Sequence, residues 1–185
     1  DNHEWLEELE ELQSKHPLGS FEGEGRMVPP FVIRKIWEAT RGEATVVTGV
    51  GQHQMWTAQY YTFDRPNTFI TSGGLGTMGF ELPARVGAAV GRPEEAIWCI
   101  AGDGSFQMTM QELGTIAQER LNIKIAIMNN GYLGMVRQWQ EMFYGKRYMA
   151  TPLGCPDFVK LAGAYDIPAL NVTRREDVEP AIQQA

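Results

Sequence analysis

Two short segments carry residue types that could hold a cation and a phosphate together. The first, Gly102-Asp103-Gly104-Ser105, follows an apolar run and precedes a helix-like stretch. Its two glycines permit a tight turn and close backbone approach, and Ser105 can cap the following helix. Free N–H groups and the positive end of a helix dipole would then face an anion. The Asp103 carboxylate would repel that anion unless a cation lies between them. The second segment, Asn129-Asn130-Gly131-Tyr132, follows the next apolar run. There the Asn130 amide oxygen and a nearby carbonyl can complete an oxygen-rich shell, and hard oxygen ligands suit magnesium. Taken singly, each segment reads as ordinary turn chemistry. A dinucleotide site competes for a glycine-rich turn after a strand, but no Gly-x-Gly-x-x-Gly opens a helix here.

The elements that must position these segments alternate between β-rich and helix-like runs. Strands are expected at Ala44 to Thr48, Thr68 to Thr71, Ala96 to Ala101, Ile123 to Asn129 and Ala169 to Val172. Helices are expected at Trp5 to Gln13, Pro29 to Arg41, Met78 to Val90, Ser105 to Arg120, Leu133 to Phe143, Asp157 to Ala164 and Arg175 to Gln184. Continuous apolar strands such as Ile97 to Ile100 require a sheet covered on both faces. The pattern therefore predicts an α/β fold: a doubly wound, mostly parallel sheet with helices on both faces. In such sheets ligands gather beyond the carboxyl ends of the strands, where both segments fall.

With 185 residues, 43% of them hydrophobic, the chain can bury one substantial core. Its formal charge of -7 and the lack of a Lys/Arg cluster argue against a nucleic-acid surface. No apolar run is long enough to span a membrane, and no signal peptide opens the chain. Cys99 and Cys155 are too sparse for a disulfide framework or a metal site, and are expected to be free thiols in a reducing, cytoplasmic setting. The chain opens without an initiating Met, on a charged segment with Trp5, Leu6, Leu9 and Leu12 on one face. Residues 1–28 are expected to form a helix and an interdomain linker, and residues 29–185 a cofactor domain that is truncated at its C-terminus, the whole being an excised fragment.

Gly102-Asp103-Gly104, a helix, a strand and then Asn129-Asn130 resemble the thiamine-diphosphate motif in order, spacing and setting. Three further segments, Val50-Gly51-Gln52-His53-Gln54-Met55-Trp56, Thr71-Ser72-Gly73-Gly74-Leu75-Gly76-Thr77-Met78-Gly79 and Gly134-Met135-Val136-Arg137-Gln138-Trp139-Gln140, resemble the acetolactate synthase (acetohydroxyacid synthase) family. The resemblance covers about Pro29 to Gln184. It implies that Asp103, Asn130 and the Tyr132 carbonyl bind Mg2+, and that Gln52, His53, Gly102, Gly104 and Ser105 lie along the diphosphate. It further implies that Gly76 and Met78 hold the aminopyrimidine. Met135, which also borders the cofactor, would line the approach of the second substrate with Val136 and Trp139. The implied substrates are pyruvate and 2-oxobutyrate, with FAD in the full-length enzyme, a homodimer or higher oligomer, and a regulatory subunit. The glutamate that activates the aminopyrimidine would lie on another domain, so no catalytic residue is assigned in this chain.

The residues also carry blander readings. His53 could be a loop histidine acting through its backbone, Met78 a core residue, and Trp139 with Phe143 a helix stripe facing the core. A related thiamine enzyme of the pyruvate oxidase or glyoxylate carboligase type, or a non-catalytic assembly module, are the alternatives. Two departures from the family pattern stand out, the second being that the sequence is expected to end, near Ala185, before the family's closing strand and C-terminal segment. After Gly79-Phe80 the family continues with a small residue and then Leu-Pro-Ala-Ala, whereas this chain has Glu81-Leu82-Pro83-Ala84-Arg85. Four residues apart on a helix, Glu81 and Arg85 could pair across one turn.

Overall fold

The computed structural model describes residues 2–17 and 25–185. Four strands form the sheet: β1 (Thr45–Thr48), β2 (Phe69–Thr71), β3 (Ile97–Gly102) and β4 (Lys124–Met128). All pair in parallel, in the order β2-β1-β3-β4. The chain runs outward from β1 to β2, then returns beside β1 as β3 and continues to β4. That reversal between β1 and β3 is a topological switch point, where a crevice opens at the carboxyl ends of the two strands.

Helices α1 (His3–Lys15) and α2 (Pro29–Thr40) precede the sheet. α3 (Gln52–Tyr60) joins β1 to β2, and α4 (Glu81–Gly91) joins β2 to β3. α5 (Asp103–Thr109) and α6 (Leu113–Gln118) lead to β4, followed by α7 (Gly134–Phe143), α8 (Phe158–Gly163) and α9 (Val178–Gln184).

Side-chain alternation along β3 sorts these helices onto two faces. Trp98 and Ile100 face a core with Ile33 and Ile36 of α2, Trp56 of α3 and Ile182 of α9. Cys99 and Ala101 face the opposite core with Leu82 of α4, Phe106 of α5 and Ile116 of α6. Phe158 of α8 joins that second core by an edge contact, its ring centroid 5.4 Å from that of Phe106. Both faces are thus covered, which is why β1 and β3 are buried without alternation. The doubly wound α/β expectation holds.

Four local expectations need correction. Ala169 to Val172 is not a strand: Pro168 removes a donor just before it, and the segment stays exposed, Leu170 to 52%. The helix expected from Met78 begins at Glu81, because Gly79 takes φ +80°. The helix expected over Ser105 to Arg120 is broken by a 3-10 turn at Met110–Glu112. Thr109 leaves helical geometry there (φ -135°), its hydroxyl donating to the Gly79 carbonyl at 2.9 Å. Finally, Glu81 and Arg85 do not pair, although both are fully buried. α4 runs from the carboxyl ends of the strands toward their amino ends. Glu81 is therefore held against Ser105, while the Arg85 guanidinium donates to the carbonyl of Ile97, the first residue of β3. Arg85 Nε and Nη1 have no partner, and burial pulls its pKa down to about 10.

On α1, Trp5, Leu6, Leu9 and Leu12 are all exposed, and no residue of that helix is buried. The linker expected over Ser14 to Val28 lies partly outside the described residues, and its first two residues continue α1. Cys99 and Cys155 are free thiols, as expected.

Ile100 sits between the two strand neighbours of β3 with no exposed surface. Ile100→Ala should lower the unfolding free energy by about 2–5 kcal/mol through lost burial and a residual cavity, measured by chemical denaturation.

Candidate functional site

The crevice at the switch point is built from three strand ends. β1 is followed by Gly49-Val50-Gly51, after which α3 starts with Gln52 and His53. β3 ends in Gly102, and α5 starts with Asp103. β4 is followed by Asn129 to Leu133 and then α7. Gln52, His53, Met78, Gly102, Asp103 and Gly104 line one cleft, with Ser105, Asn130, Tyr132, Met135 and Val136 completing it.

Glycine is required where side chains close on this cleft. A Cβ at Gly102 would stand 2.7 Å from His53 Nδ1, and one at Gly104 would stand 2.9 Å from both the Leu133 and Leu153 methyls. The His53 ring therefore packs against the β3 terminus. It is only 5% exposed, its Nε2 has no hydrogen-bond partner, and burial pulls its pKa down to about 4 from the ordinary 6.5. The imidazole is neutral at physiological pH.

Asp103 is nearly fully buried, and its carboxylate gathers backbone N–H groups. Oδ1 accepts from Gly104 at 2.7 Å; Oδ2 accepts from Asn130 at 3.1 Å and Gly131 at 2.6 Å. The Cys155 thiol donates to the same Oδ2 at 3.7 Å, and desolvation, followed by the neighbouring carboxylate, pushes the thiol pKa up. The Asn130 side-chain oxygen accepts from the Tyr132 N–H at 3.0 Å. A short antiparallel bridge braces the loop: Leu133 N–H donates to the Thr151 carbonyl and Leu153 N–H to the Gly131 carbonyl, each at 2.8 Å.

The remaining candidates lie at the rim. Gln52 Nε2 donates to Gln138 Oε1 at 2.9 Å, tying α3 to α7. The Met78 methyl is 3.7 Å from the position a Gly104 Cβ would take. Two expected residues do not line the cleft. Gly76 sits in the open turn before α4 with φ +68°. Trp139 is 56% exposed on α7, edge-on to Phe143 with ring centroids 5.9 Å apart, so it is not a core residue.

This donor set fits a magnesium ion shared with a diphosphate. It offers one carboxylate, one amide oxygen and backbone carbonyls, and no cluster of three His, Cys, Asp or Glu occurs among the described residues. Magnesium takes few protein ligands when phosphate oxygens complete its shell. The glycine cradle and the unpartnered His53 Nε2 suit the anion. A roomier cleft of about 530 Å³ lies at the opposite edge, near Glu43, Arg65, Glu95 and Lys124, where the strands begin. It has none of the glycine turns or convergent N–H groups that ligand sites of this architecture use.

Several contributors were invisible in the linear sequence. Leu153 and Thr151 reach the site only through the bridge to the Asn130 loop, and Cys155 follows them. Gln138 was within a quoted motif, but its hydrogen bond to Gln52 spans 86 residues.

Residues 49–185 match the family described as thiamine pyrophosphate enzyme, C-terminal TPP binding domain. The chain is 49% identical to the acetolactate synthase of Mycobacterium leprae, over 98% of this chain and 30% of that protein. It is 49% identical to the chloroplastic acetolactate synthase 1 of Nicotiana tabacum, over 97% of this chain and 28% of that protein. With the acetolactate synthase isozyme 2 large subunit of Escherichia coli K12 it shares 43% identity, over 98% of this chain and 33% of the relative. The chain thus spans about a third of the length of these relatives.

His53 makes stability depend on pH in a defined direction. Its folded pKa of about 4 lies below the unfolded value of 6.5, so below pH 6.5 the unfolded chain takes up a proton that the folded one refuses. Stability from this residue is fully present above pH 6.5 and falls between pH 6.5 and 4, by up to on the order of 3 kcal/mol. Denaturation of the wild type and His53→Gln at pH 7.5 and 4.5 should show the wild type losing more; equal losses would refute the assignment.

Proposed function

The chain belongs to the thiamine pyrophosphate enzyme family, of which it carries the C-terminal TPP binding domain, and on that premise we propose that its cleft holds thiamine diphosphate through magnesium within an acetolactate synthase. The observation that carries this reading is the convergence of Asp103 with Asn130 and Gly131 beside the Gly51-His53 turn. Similarity to acetolactate synthases over nearly the whole chain supports the choice within the family.

In this reading Asp103, Asn130 and the Tyr132 carbonyl hold the cation that neutralises the diphosphate. Asp103 Oδ1 accepts a single N–H, so it retains a lone pair for the metal. Gly102 and Gly104 let the backbone approach the anion, and the start of α5 presents its dipole to it. A neutral His53 with its proton on Nε2 donates to a diphosphate oxygen without adding charge. Gln52, held by Gln138, fixes the wall between α3 and α7. Met78 in the cleft, with Gly76 in the turn before it, supports the aminopyrimidine, while Met135 and Val136 line the approach of the acceptor and Trp139 stands exposed beyond them on α7. When bound, thiamine diphosphate supplies the electron sink for decarboxylation of a 2-oxo acid. This chain's residues bind and orient; no proton transfer is assigned to any of them.

The whole enzyme would condense pyruvate with pyruvate or 2-oxobutyrate. It would act as a homodimer or higher oligomer, with FAD on another domain and a regulatory subunit as a further partner.

Asp103→Ala should abolish magnesium-dependent binding of thiamine diphosphate in calorimetry, because it removes the only carboxylate that lines the cleft among the described residues. It also leaves three backbone N–H groups without their acceptor, so its melting temperature should fall. Asn130→Ala, whose side chain is exposed, separates the two effects: binding should weaken less, with the melt nearly unchanged. Unaltered affinity in Asp103→Ala would sink the assignment.

Trp139 is exposed, so its replacement tests acceptor choice with little cost in stability. Trp139→Leu in the full-length enzyme should lose much of any preference for 2-oxobutyrate over pyruvate. The acceptors differ by one methylene, worth roughly 1–3 kcal/mol in an apolar pocket. An unchanged product ratio in a competition assay removes Trp139 from the acceptor site.

A further inference from the structure

Glu81 is a fully buried carboxylate one layer behind the diphosphate cradle. Its Oε2 accepts the Ser105 hydroxyl proton at 2.8 Å, while its Oε1 has no partner. Ser105 Oγ in turn accepts from the Gly79 N–H at 2.8 Å. The same carboxylate lies against the end of β1, where a Cβ on Gly49 would stand 2.2 Å from Glu81 Oε2 and 2.3 Å from Ser105 Oγ. Glu81 therefore connects the two strand ends that flank the switch point.

A hydroxyl has one proton to give. With Glu81 ionised, Ser105 gives that proton to the carboxylate and one lone pair to Gly79, and has no proton left to donate into the cleft. A diphosphate oxygen only accepts, so it gains nothing from Ser105 in this state. With Glu81 protonated, the carboxylic acid can donate to Ser105 Oγ. Gly79 and Glu81 then occupy both lone pairs, and the hydroxyl proton is released toward the cleft. We propose that Glu81 is a positioning residue that decides whether Ser105 donates to the bound diphosphate, so that cofactor binding is coupled to proton uptake at Glu81. This rests on the reading of the cleft as a diphosphate site.

Burial pushes the Glu81 pKa up, which keeps the protonated form within reach. Other titratable or charged groups on the elements packed against it are few. They are Arg85 on α4 itself, Cys99 on β3, Asp103 at the start of α5, and Glu112 in the 3-10 turn; β1 carries none. Arg85 donates to the Ile97 carbonyl at the opposite end of the sheet, so among the described residues it forms no ion pair with Glu81.

The test is calorimetric titration of thiamine diphosphate, with saturating magnesium, into the full-length protein and its Glu81→Gln, Ser105→Ala and doubly substituted variants. Gln cannot ionise, and its amide N–H can donate to Ser105, so Glu81→Gln mimics the protonated state. At pH 8 it should bind roughly tenfold more tightly than the wild type, the scale of one charge-assisted hydrogen bond. Titration in buffers of different ionisation enthalpy should show more proton uptake for the wild type than for Glu81→Gln. In the Ser105→Ala background the gain from Glu81→Gln should shrink; an undiminished gain means that Glu81 acts by charge alone and overturns the role of Ser105. Equal affinity and equal proton uptake in wild type and Glu81→Gln overturn the proposal while leaving the diphosphate site intact. If every variant is folded by thermal melt and none binds, both the site and the proposal fall. Should Glu81→Gln not fold, Glu81→Gly, which removes the acceptor of the Ser105 proton, must bind more tightly than the wild type at pH 8 for the proposal to stand.

Discussion

One carboxylate organises the switch-point crevice. Asp103 stands at the end of β3, and its oxygens accept N–H groups from its own helix start and from the loop after β4, up to 28 residues away. Buried backbone donors must find acceptors, and here the acceptors belong to a side chain and not to a neighbouring strand. The loop from Asn130 to Leu133 therefore has its shape set from two sides. Asp103 holds its beginning, and the bridge to residues 151–153 holds its end. Removing the carboxylate would leave no reason for this loop to lie across β3, and the oxygens of Asn130 and Tyr132 would lose their common focus.

That focus exists only because the sheet reverses direction between β1 and β3. Had the strands continued in one sense, a crossover helix would cover the ends of both, and Gly51-His53 would not face Gly102-Ser105. The cradle is in this sense a property of topology first and of residue type second. Glycines at 102 and 104 then convert the topological gap into a space that a phosphate can enter, because any side chain there would meet His53, Leu133 or Leu153.

Much of this was legible in the sequence. Apolar runs at Ile97 to Ile100 and Ile123 to Met128 exceed what a half-exposed sheet would carry, and they point to strands with two-sided cover. The turn residues after β3 and β4 pointed to the correct edge. What failed had local causes. Ala169 to Val172 has strand-like side chains but no neighbour to pair with, a tertiary fact that propensity does not encode. The expected helix over Ser105 to Arg120 breaks because the Thr109 hydroxyl is captured by Gly79, 30 residues earlier in the chain. The contribution of Leu153 and Cys155 depends on a two-residue bridge that has no periodic signature.

Glu81 and Arg85 on α4 show how burial overrides helical spacing. A spacing of four on a helix says that Glu81 and Arg85 share a face, and on a solvated surface that would bring the charges together. α4 is instead pressed against the sheet, so its two long side chains extend along the helix toward opposite ends of the strands. Burying opposite charges without pairing them forgoes the Coulomb attraction that would offset their desolvation. Each must then be satisfied separately: Arg85 by the Ile97 carbonyl, Glu81 by the Ser105 hydroxyl. Arg85 finds its acceptor among strand-end carbonyls far from the cleft. Glu81 finds its only side-chain donor in a residue that borders the cleft, so the demand of one buried carboxylate is transmitted to the surface where the anion would bind. A small residue at position 81 would make no such demand, and Ser105 would then answer to Gly79 and the ligand alone.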